Sequence, residues 1–329
     1  MARKVVLLLV LALLAAVPSA APATAGPNDP TIVFGAFPAP RSGQTKQQAV
    51  TALEAQIGRK LNVVRVYDLW DTPLPDSHTS WLRSTGHTLF LSVKAKRTNG
   101  TLVSWRQLAD ARPGSGLYNE IVGWATKLKN FGAPLYFTFH HEPEAATNLN
   151  NGTATDFIDA WRNIISVLRL QGVTNAQYVW TMTDYSFVVP STDRRAAFKW
   201  FPGDAYVDHL GSDPYNWYNC REGINNSWKS LAQIIEPFRQ FGAAHPTKGL
   251  MLPEWASYED PATPGRKAQW IADARALFKS PGYEQFKLVL YFNWFDQKYT
   301  NCRWWVDTSQ SSLTNFAAMA NDPFYTRLP

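Results

Sequence analysis

The sequence predicts a single (β/α)8 barrel. Three observations carry that expectation. Eight short segments rich in Val, Ile, Leu, Phe and Tyr recur along the chain, most of them nearly continuous apolar runs. That is the pattern of strands buried on both faces of a parallel sheet. Stretches with apolar residues at three- and four-residue spacing fill most of the gaps, as amphipathic helices do. The competing fold, a doubly wound open sheet, lacks its markers. No G-x-G-x-x-G follows the first strand and no phosphate loop occurs in the sequence.

In order, the expected strands are Thr31–Phe37, Leu61–Trp70, Thr88–Ala95, Pro134–His141, Gln177–Thr183, Val207–Tyr215, Gly249–Trp255 and Lys287–Trp294. Their starts lie about 27 to 46 residues apart, which suits βα units with some long loops. Helices are expected over Thr45–Ile57, Gly116–Phe131, Thr153–Leu170, Trp228–Ala244 and Arg266–Phe278. Glycines stand near the ends of several of them, at Gly58, Gly132, Gly172 and Gly242, a usual helix stop. The second and fifth connections are less regular, and Ser80–Arg83 and Arg194–Trp200 have room for short helices only. A length of 329 residues would suit one large domain or two ordinary ones. No linker, low-complexity tract or repeat divides the chain, so one domain over 26–329 is expected.

The segment before it reads as a targeting signal. Arg3 and Lys4 precede an apolar stretch, Val5 to Val17, of 13 residues. A bilayer span needs about 20. Ala23-Thr24-Ala25 offers a small-x-small cleavage site, which makes 1–25 a signal peptide and the product secreted and extracellular. No later stretch reads as a membrane helix. Removing two basic residues leaves 30 basic against 26 acidic, or +4. Without a Lys/Arg run, that charge reads as solubility rather than as a nucleic-acid footprint. Two cysteines in an exported chain, Cys220 and Cys302, read as one disulfide. The chain is 45% hydrophobic and 18% charged, which excludes a disordered or collagen-like protein. Its 14 Trp, 13 Tyr and 18 Phe hint at a flat-faced ligand.

In a barrel, function sits at the C-terminal ends of the strands. Two ends present a carboxylate directly after an apolar run: Glu142 on strand four and Glu254 on strand seven, 112 residues apart. Two carboxylates facing each other across a mouth are what glycoside cleavage needs, one holding a proton and the other ionised. Other chemistries lack their residues. There is no H-E-x-x-H, the cysteines lack metal-site spacing and no G-x-S-x-G occurs, so neither a metal nor any other cofactor is expected.

The stretches Phe139-His140-His141-Glu142-Pro143, Gly211-Ser212-Asp213-Pro214-Tyr215 and Pro253-Glu254-Trp255 resemble glycoside hydrolase family 26, of the clan of retaining (β/α)8 hydrolases. Most clan members carry Asn before the strand-four Glu; family 26 carries His, and His141 stands there. The resemblance implies that Glu142 is the general acid/base and Glu254 the nucleophile. It implies that His141 bonds within the same subsite, that Tyr215 donates its hydroxyl to Glu254 and that Asp213 contacts the sugar or its neighbours. Trp294 would be the floor of the sugar site beside the cleaved bond. Two positions depart from the family. Glu144-Ala145-Ala146-Thr147 follows where an aromatic residue is frequent, and Phe295 stands where mannanases can have Arg.

Taken singly, His141 reads equally well as a buried structural histidine, and Tyr215 and Trp294 as core aromatics. Arg65 and Lys94 point toward the mouth in this register, as substrate contacts or as partners of a carboxylate. Asp68 and Trp70 read as distal subsite residues, His140 as packing, and Glu144 and Glu259 as solvated loop charges. The expectation is a secreted retaining endo-β-glycanase with a polysaccharide substrate, β-1,4-mannan by the resemblance. Neither nucleic acid nor membrane is an expected partner, and a monomer is expected. The rivals are a β-glucanase or xylanase of the same clan, a transglycosylase using the same residues, and a silent carbohydrate-binding barrel.

Overall fold

Parallel pairing runs from strand to strand until the sheet meets itself. The computed structural model describes residues 31–223 and 226–329, so the expected signal peptide lies outside the described residues. The strands are β1 (Val33–Pro38), β2 (Val63–Leu69), β3 (Thr88–Lys94), β4 (Leu135–Phe139), β5 (Ala176–Thr183), β6 (His209–Asp213), β7 (Gly249–Ser257) and β8 (Phe286–Asn293). β6 pairs with β7 through Leu210 and Leu250. β8 returns to β1, with Gly35 opposite Leu290, and closes the barrel. A two-residue strand, Tyr215–Asn216, extends β6 and pairs with Ala256 and Ser257 at the top of β7.

Closure depends on a residue without a side chain. A Cβ on Gly35 would lie 2.1 Å from the Val63 carbonyl oxygen and 2.6 Å from the Leu290 side chain. No side chain fits at that distance, so glycine is what lets β1 sit between β2 and β8. The lower barrel interior is filled by Val33, Val63, Phe90, Tyr136, Val179, Met251, Leu288 and Leu290, all buried. A larger apolar layer lies between the strands and the outer helices.

Those helices are α1 (Lys46–Ile57), α2 (Ser77–Ser84), α3 (Trp105–Ala109), α4 (Gly116–Phe131), α5 (Ala154–Leu170), α6 (Leu231–Ala243), α7 (Arg266–Leu277) and α8 (Gln310–Ala320). Capping chemistry sets several starts. Thr45, Thr153 and Ser230 each close a capping box at the head of α1, α5 and α6. Gly58 and Gly132 end α1 and α4 in left-handed conformations, at φ 72° and 70°. α6 starts at Leu231, three residues later than expected from periodicity, because the Ser230 cap excludes Trp228. α3 and α8 were not legible as helices. α3 is five residues long, and Ser, Thr and Asn dilute the apolar repeat of α8. The fifth connection holds only 3-10 turns, at Asp184–Phe187, Ala197–Lys199 and Asp204–Tyr206.

Cys220 and Cys302 form a disulfide, Cα atoms 4.9 Å apart, joining the loop after β6 to the loop after β8. No helix among the described residues is long and apolar enough to cross a membrane.

Two outcomes follow. Gly35→Ala destabilises the barrel by about 2 kcal/mol or more, read as a lower denaturant midpoint with an unchanged slope. Thiol titration of the purified, denatured, unreduced protein gives no free thiol and two after reduction; two before reduction would mean the loops are not tied.

Candidate active site

Strand β2 points alternate residues to opposite faces, so Arg65 and Tyr67 share the inward face. Arg65 is 1% exposed. Its guanidinium stacks 4.7 Å from the Tyr67 ring centre and 5.2 Å from Phe90. Nε and Nη2 donate to Ser92 Oγ at 3.2 and 3.1 Å. Nη1 lies 3.1 Å from Glu254 Oε1 and 3.5 Å from Asp213 Oδ1. Burial alone would lower the pKa of this guanidinium, but Tyr67, Glu254 and Asp213 outweigh it and raise it.

Glu254 sits on β7, buried, with partners on both oxygens. Tyr67 Oη donates to Oε1 at 2.6 Å, and Tyr215 Oη donates to Oε2. Burial, with the adjacent carboxylate, pushes both phenols well above their ordinary range, so both keep the proton they donate. His141 Nε2 lies 3.9 Å from Glu254 Oε1. Burial, then the Arg65 charge, holds the His141 imidazole well below its usual range. The pair is therefore a neutral ring beside a carboxylate rather than an ion pair.

Glu142 rides on an irregular turn after β4. The His140 N–H donates to the Val93 carbonyl on β3 at 2.7 Å, and the Glu142 N–H donates to the Thr181 carbonyl on β5 at 2.9 Å. Reaching left and right in this way forces positive φ, 48° at His140 and 51° at Glu142. Such conformations cost non-glycine residues about 1–3 kcal/mol each and persist only where surrounding bonds impose them. Here the bonds are visible. The Asn148 amide donates to the Glu142 carbonyl at 2.8 Å. His140 Nδ1 accepts from the Ala95 N–H at 3.2 Å and from Trp105 Nε1 at 3.1 Å. Burial pushes the His140 imidazole down to about 3, so it is a neutral packing residue, as expected.

One oxygen each from Glu142, Asp213 and Glu254 lies within 4.8 Å of the other two. Three carboxylates share one guanidinium, so full ionisation would leave uncompensated negative charge in a partly dry site. The carboxyl of Glu142, which Arg65 does not pair, absorbs that conflict. Burial, then Glu254, Asp213 and Glu144, push it well above the usual carboxylate range. Asp213 is also pushed up, by burial and then by Glu254. The result is one proton-holding carboxyl facing one carboxylate fixed by a cation and two phenols. That arrangement suits proton donation on one side of a bond and attack on the other.

The structure brings together Glu142, Glu254, His141, Asp213, Tyr215 and Arg65 from the sequence reading. It changes the place of several. Arg65 takes the second of its two readings, as the partner of carboxylates, pairing with Glu254 and with Asp213, which is 1% exposed. Trp70 offers no face to a ligand: it is 2% exposed, packs on Trp124 and Phe139 and donates Nε1 to Glu120 at 2.6 Å. Asp68 is buried, and burial pushes it up to about 6. Glu144 is fully buried rather than solvated, and Glu259 accepts bonds from Thr308, Ser309 and Ser312 near the start of α8. Trp294 stands half-buried beside Phe37, Phe292 and Phe295. Lys94, half-buried at the end of β3, is lowered by burial and raised back in part by Glu142. Tyr67 was missed. Its spacing of two from Arg65 was the available signal, because it puts both on the interior face.

Residues 109–254 match the model of glycosyl hydrolase family 26, a span that ends on Glu254 itself. Endoglucanase H of Acetivibrio thermocellus is 24% identical over 287 residues, 83% of this chain and 29% of that protein. The chain thus spans less than a third of the length of this curated relative. A family 26 β-mannanase from Bacteroides ovatus superposes with a TM-score of 0.58 at 15% identity, over 91% of this chain and 90% of its own. The catalytic domain of the family 26 endo-β-1,4-mannanase of Bacillus sp. JAMB-750 gives 0.61 at 14% identity, over 89% and 86%. These likenesses show a shared barrel.

Arg65→Met removes the cation and leaves Glu254 and Asp213 uncompensated in a buried site. A loss of about 3–5 kcal/mol is expected near neutral pH, measured by denaturant unfolding. Because Asp213, already pushed up by burial and then by Glu254, is relieved by protonation, the loss shrinks as pH falls. A loss independent of pH would detach Arg65 from this charge balance.

Proposed function

We propose that this chain, whose residues 109–254 match the model of glycosyl hydrolase family 26, is a member of that family and an exported retaining endo-β-glycanase acting on β-1,4-mannan. The observation that carries the reading is the pairing of Glu142 and Glu254. Their nearest oxygens lie within 4.8 Å, one carboxyl is pushed up by burial and the other is paired with Arg65. Retaining pairs sit about 5–5.5 Å apart, and inverting pairs about 6.5–9.5 Å apart to admit a water. The spacing here favours double displacement.

In the first step Glu254 attacks the anomeric carbon and forms the glycosyl ester. The glycosidic C–O bond breaks as Glu142 gives its proton to the leaving oxygen. In the second step Glu142, now ionised, takes a proton from water as that water attacks the anomeric carbon. The ester bond breaks, the sugar is released with its original configuration, and both carboxyl groups return to their starting states. Tyr67, Tyr215 and Arg65 fix the attacking carboxylate, so no reorientation is needed at the moment of attack. Trp294 provides the apolar wall for the sugar ring.

Mannan is supported by the mannanase likenesses of the fold and by the motifs around Glu142 and Tyr215. A β-glucan substrate is the second reading, favoured by the similarity to an endoglucanase and by Phe295 in place of Arg. Release of reducing ends from mannan, mixed-linkage glucan and xylan separates them. No release from any of the three would sink the hydrolase reading.

Glu254→Ala loses turnover on every glycoside, by on the order of a thousandfold or more. Glu142→Ala loses it on polysaccharide but keeps the first step on aryl glycosides with good leaving groups, which need little protonation. Azide rescue with inverted product belongs to the Glu254 variant; rescue of that kind at Glu142 would reverse the assignment. Activity on polysaccharide falls as pH rises through the raised pKa of Glu142, because the donor proton is then lost. Aryl substrates of low leaving-group pKa keep a flatter profile on that side.

A further inference from the structure

Glu144 is a carboxylate with no role in the two-step chemistry, yet it is among the most deeply buried charges in the molecule, at 0% exposure. It lies two residues beyond Glu142, where the turn has left β4 but has not become a surface loop. Its Oε1 accepts three bonds: from the Thr183 N–H at 2.9 Å, the Thr183 hydroxyl at 2.6 Å and the Ser186 hydroxyl at 2.5 Å. Burial pushes the Glu144 carboxyl upward, and the three donors converging on one oxygen oppose that shift by favouring the ionised form. Its Oε2 is buried with no hydrogen-bond partner. Arg194 approaches the same residue but donates to the Glu144 backbone carbonyl at 3.0 Å, not to the carboxylate. An isolated buried charge of this kind is costly, and an isosteric polar residue could make the same turn at less cost.

Resting on the assignment of Glu142 as acid/base, we propose that Glu144 is a positioning residue for it: its buried carboxylate pins the turn carrying Glu142 to the end of strand β5 and places a further acidic group beside it. The pinning is geometric. Thr183 and Ser186 sit at the end of β5 and in the turn after it, and Thr181 two residues earlier receives the Glu142 N–H at 2.9 Å. Glu142 is thus tied to β5 before itself by a backbone bond and after itself by Glu144, which holds its left-handed backbone in place. The charges around Glu142 are Glu254 on β7, Asp213 on β6 and Glu144 on its own turn, against Arg65 on β2 and Lys94 on β3. Asp184, next to Thr183, is itself pushed up to about 7 by burial, with Lys229 and Arg221 opposing, so it adds little negative charge below neutral pH. Arg65 is committed to Glu254 and Asp213. Among the described residues, Glu144 is therefore the acidic group near Glu142 that has no cation on its carboxylate.

The test is Glu144→Gln, which keeps the shape and the acceptor oxygen and removes the charge. The readout is the ionisation of Glu142, followed by carboxyl 13C NMR titration of the ligand-free protein, with the resonance assigned from the Glu142→Gln variant. The Glu142 pKa is expected to fall by about half a unit or more, because a nearby negative charge is gone. In step with it, the alkaline limb of polysaccharide hydrolysis moves to lower pH. Ser186→Ala, a milder variant, removes one donor to Glu144 and shifts both readouts the same way by less. A Glu142 pKa unchanged in both variants overturns the proposal, even if they melt at lower temperature, since a purely structural brace would change stability alone. The titration needs no substrate. A protein inactive on every glycan but with the shift present would sink the catalytic reading and leave the positioning of Glu142 intact.

Discussion

The guanidinium of Arg65 is the constraint on which the upper half of the barrel depends. Among the described residues it is the one cation paired with two of the three clustered carboxylates, Glu254 and Asp213, and it is buried where water cannot substitute for it. Its planar fork also bonds Ser92, and its faces stack on Tyr67 and Phe90, so its position is fixed from every side. Once it is fixed, Glu254 is fixed. The proton demand of the site then falls on Glu142, which lies outside that pairing. One buried cation thus divides two chemically identical side chains into a donor and an acceptor.

That division holds only if the barrel brings distant strands to the same layer. Arg65 and Tyr67 come from β2, Glu142 from the turn after β4, Asp213 and Tyr215 from β6 and its extension, and Glu254 from β7. Closure through Gly35 sets the circumference that puts these strand ends face to face. The disulfide joins the two loops on either side of β7, and the loop after β6 carries Tyr215 on toward Cys220. Aromatic packing continues the brace: Tyr215 lies 4.9 Å from Trp304 and Trp217 5.0 Å from Trp304, ring centre to ring centre. The high aromatic content serves two ends, a packed wall around the site and the half-buried face of Trp294 at the mouth.

Backbone strain marks the turn that carries Glu142. His140 and Glu142 adopt left-handed backbone angles in a turn whose bonds reach β3 on one side and β5 on the other. A regular strand end could not hand its N–H groups to both neighbours in succession. The irregularity carries Glu142 out of the strand ladder and within 4.8 Å of Glu254. Neutral His140 beneath the turn and buried Glu144 behind it pay for the strain with bonds to Ala95, Trp105, Thr183 and Ser186.

By itself the sequence determined the barrel, the strand ends that matter and the carboxylate pair. Apolar strand runs, helix caps and the residues following each run are local signals, written within ten or so residues. Two cysteines left a single pairing, Glu142 and Glu254 followed from their places at strand ends, and His141, Asp213 and Tyr215 were singled out by the resemblance to family 26. Only the tertiary structure decided what each side chain meets. Trp70 read as a subsite residue yet is core, and Arg65, open between substrate contact and carboxylate partner, pairs with Glu254 and Asp213. Glu144 read as a loop charge and is sealed against β5, and Tyr67 went unread although it holds Glu254. The reason is physical. Which face a strand residue points to is set by alternation along its own strand, but its depth and partners are set by barrel curvature and by side chains from 39 to 189 residues away. No local pattern encodes those.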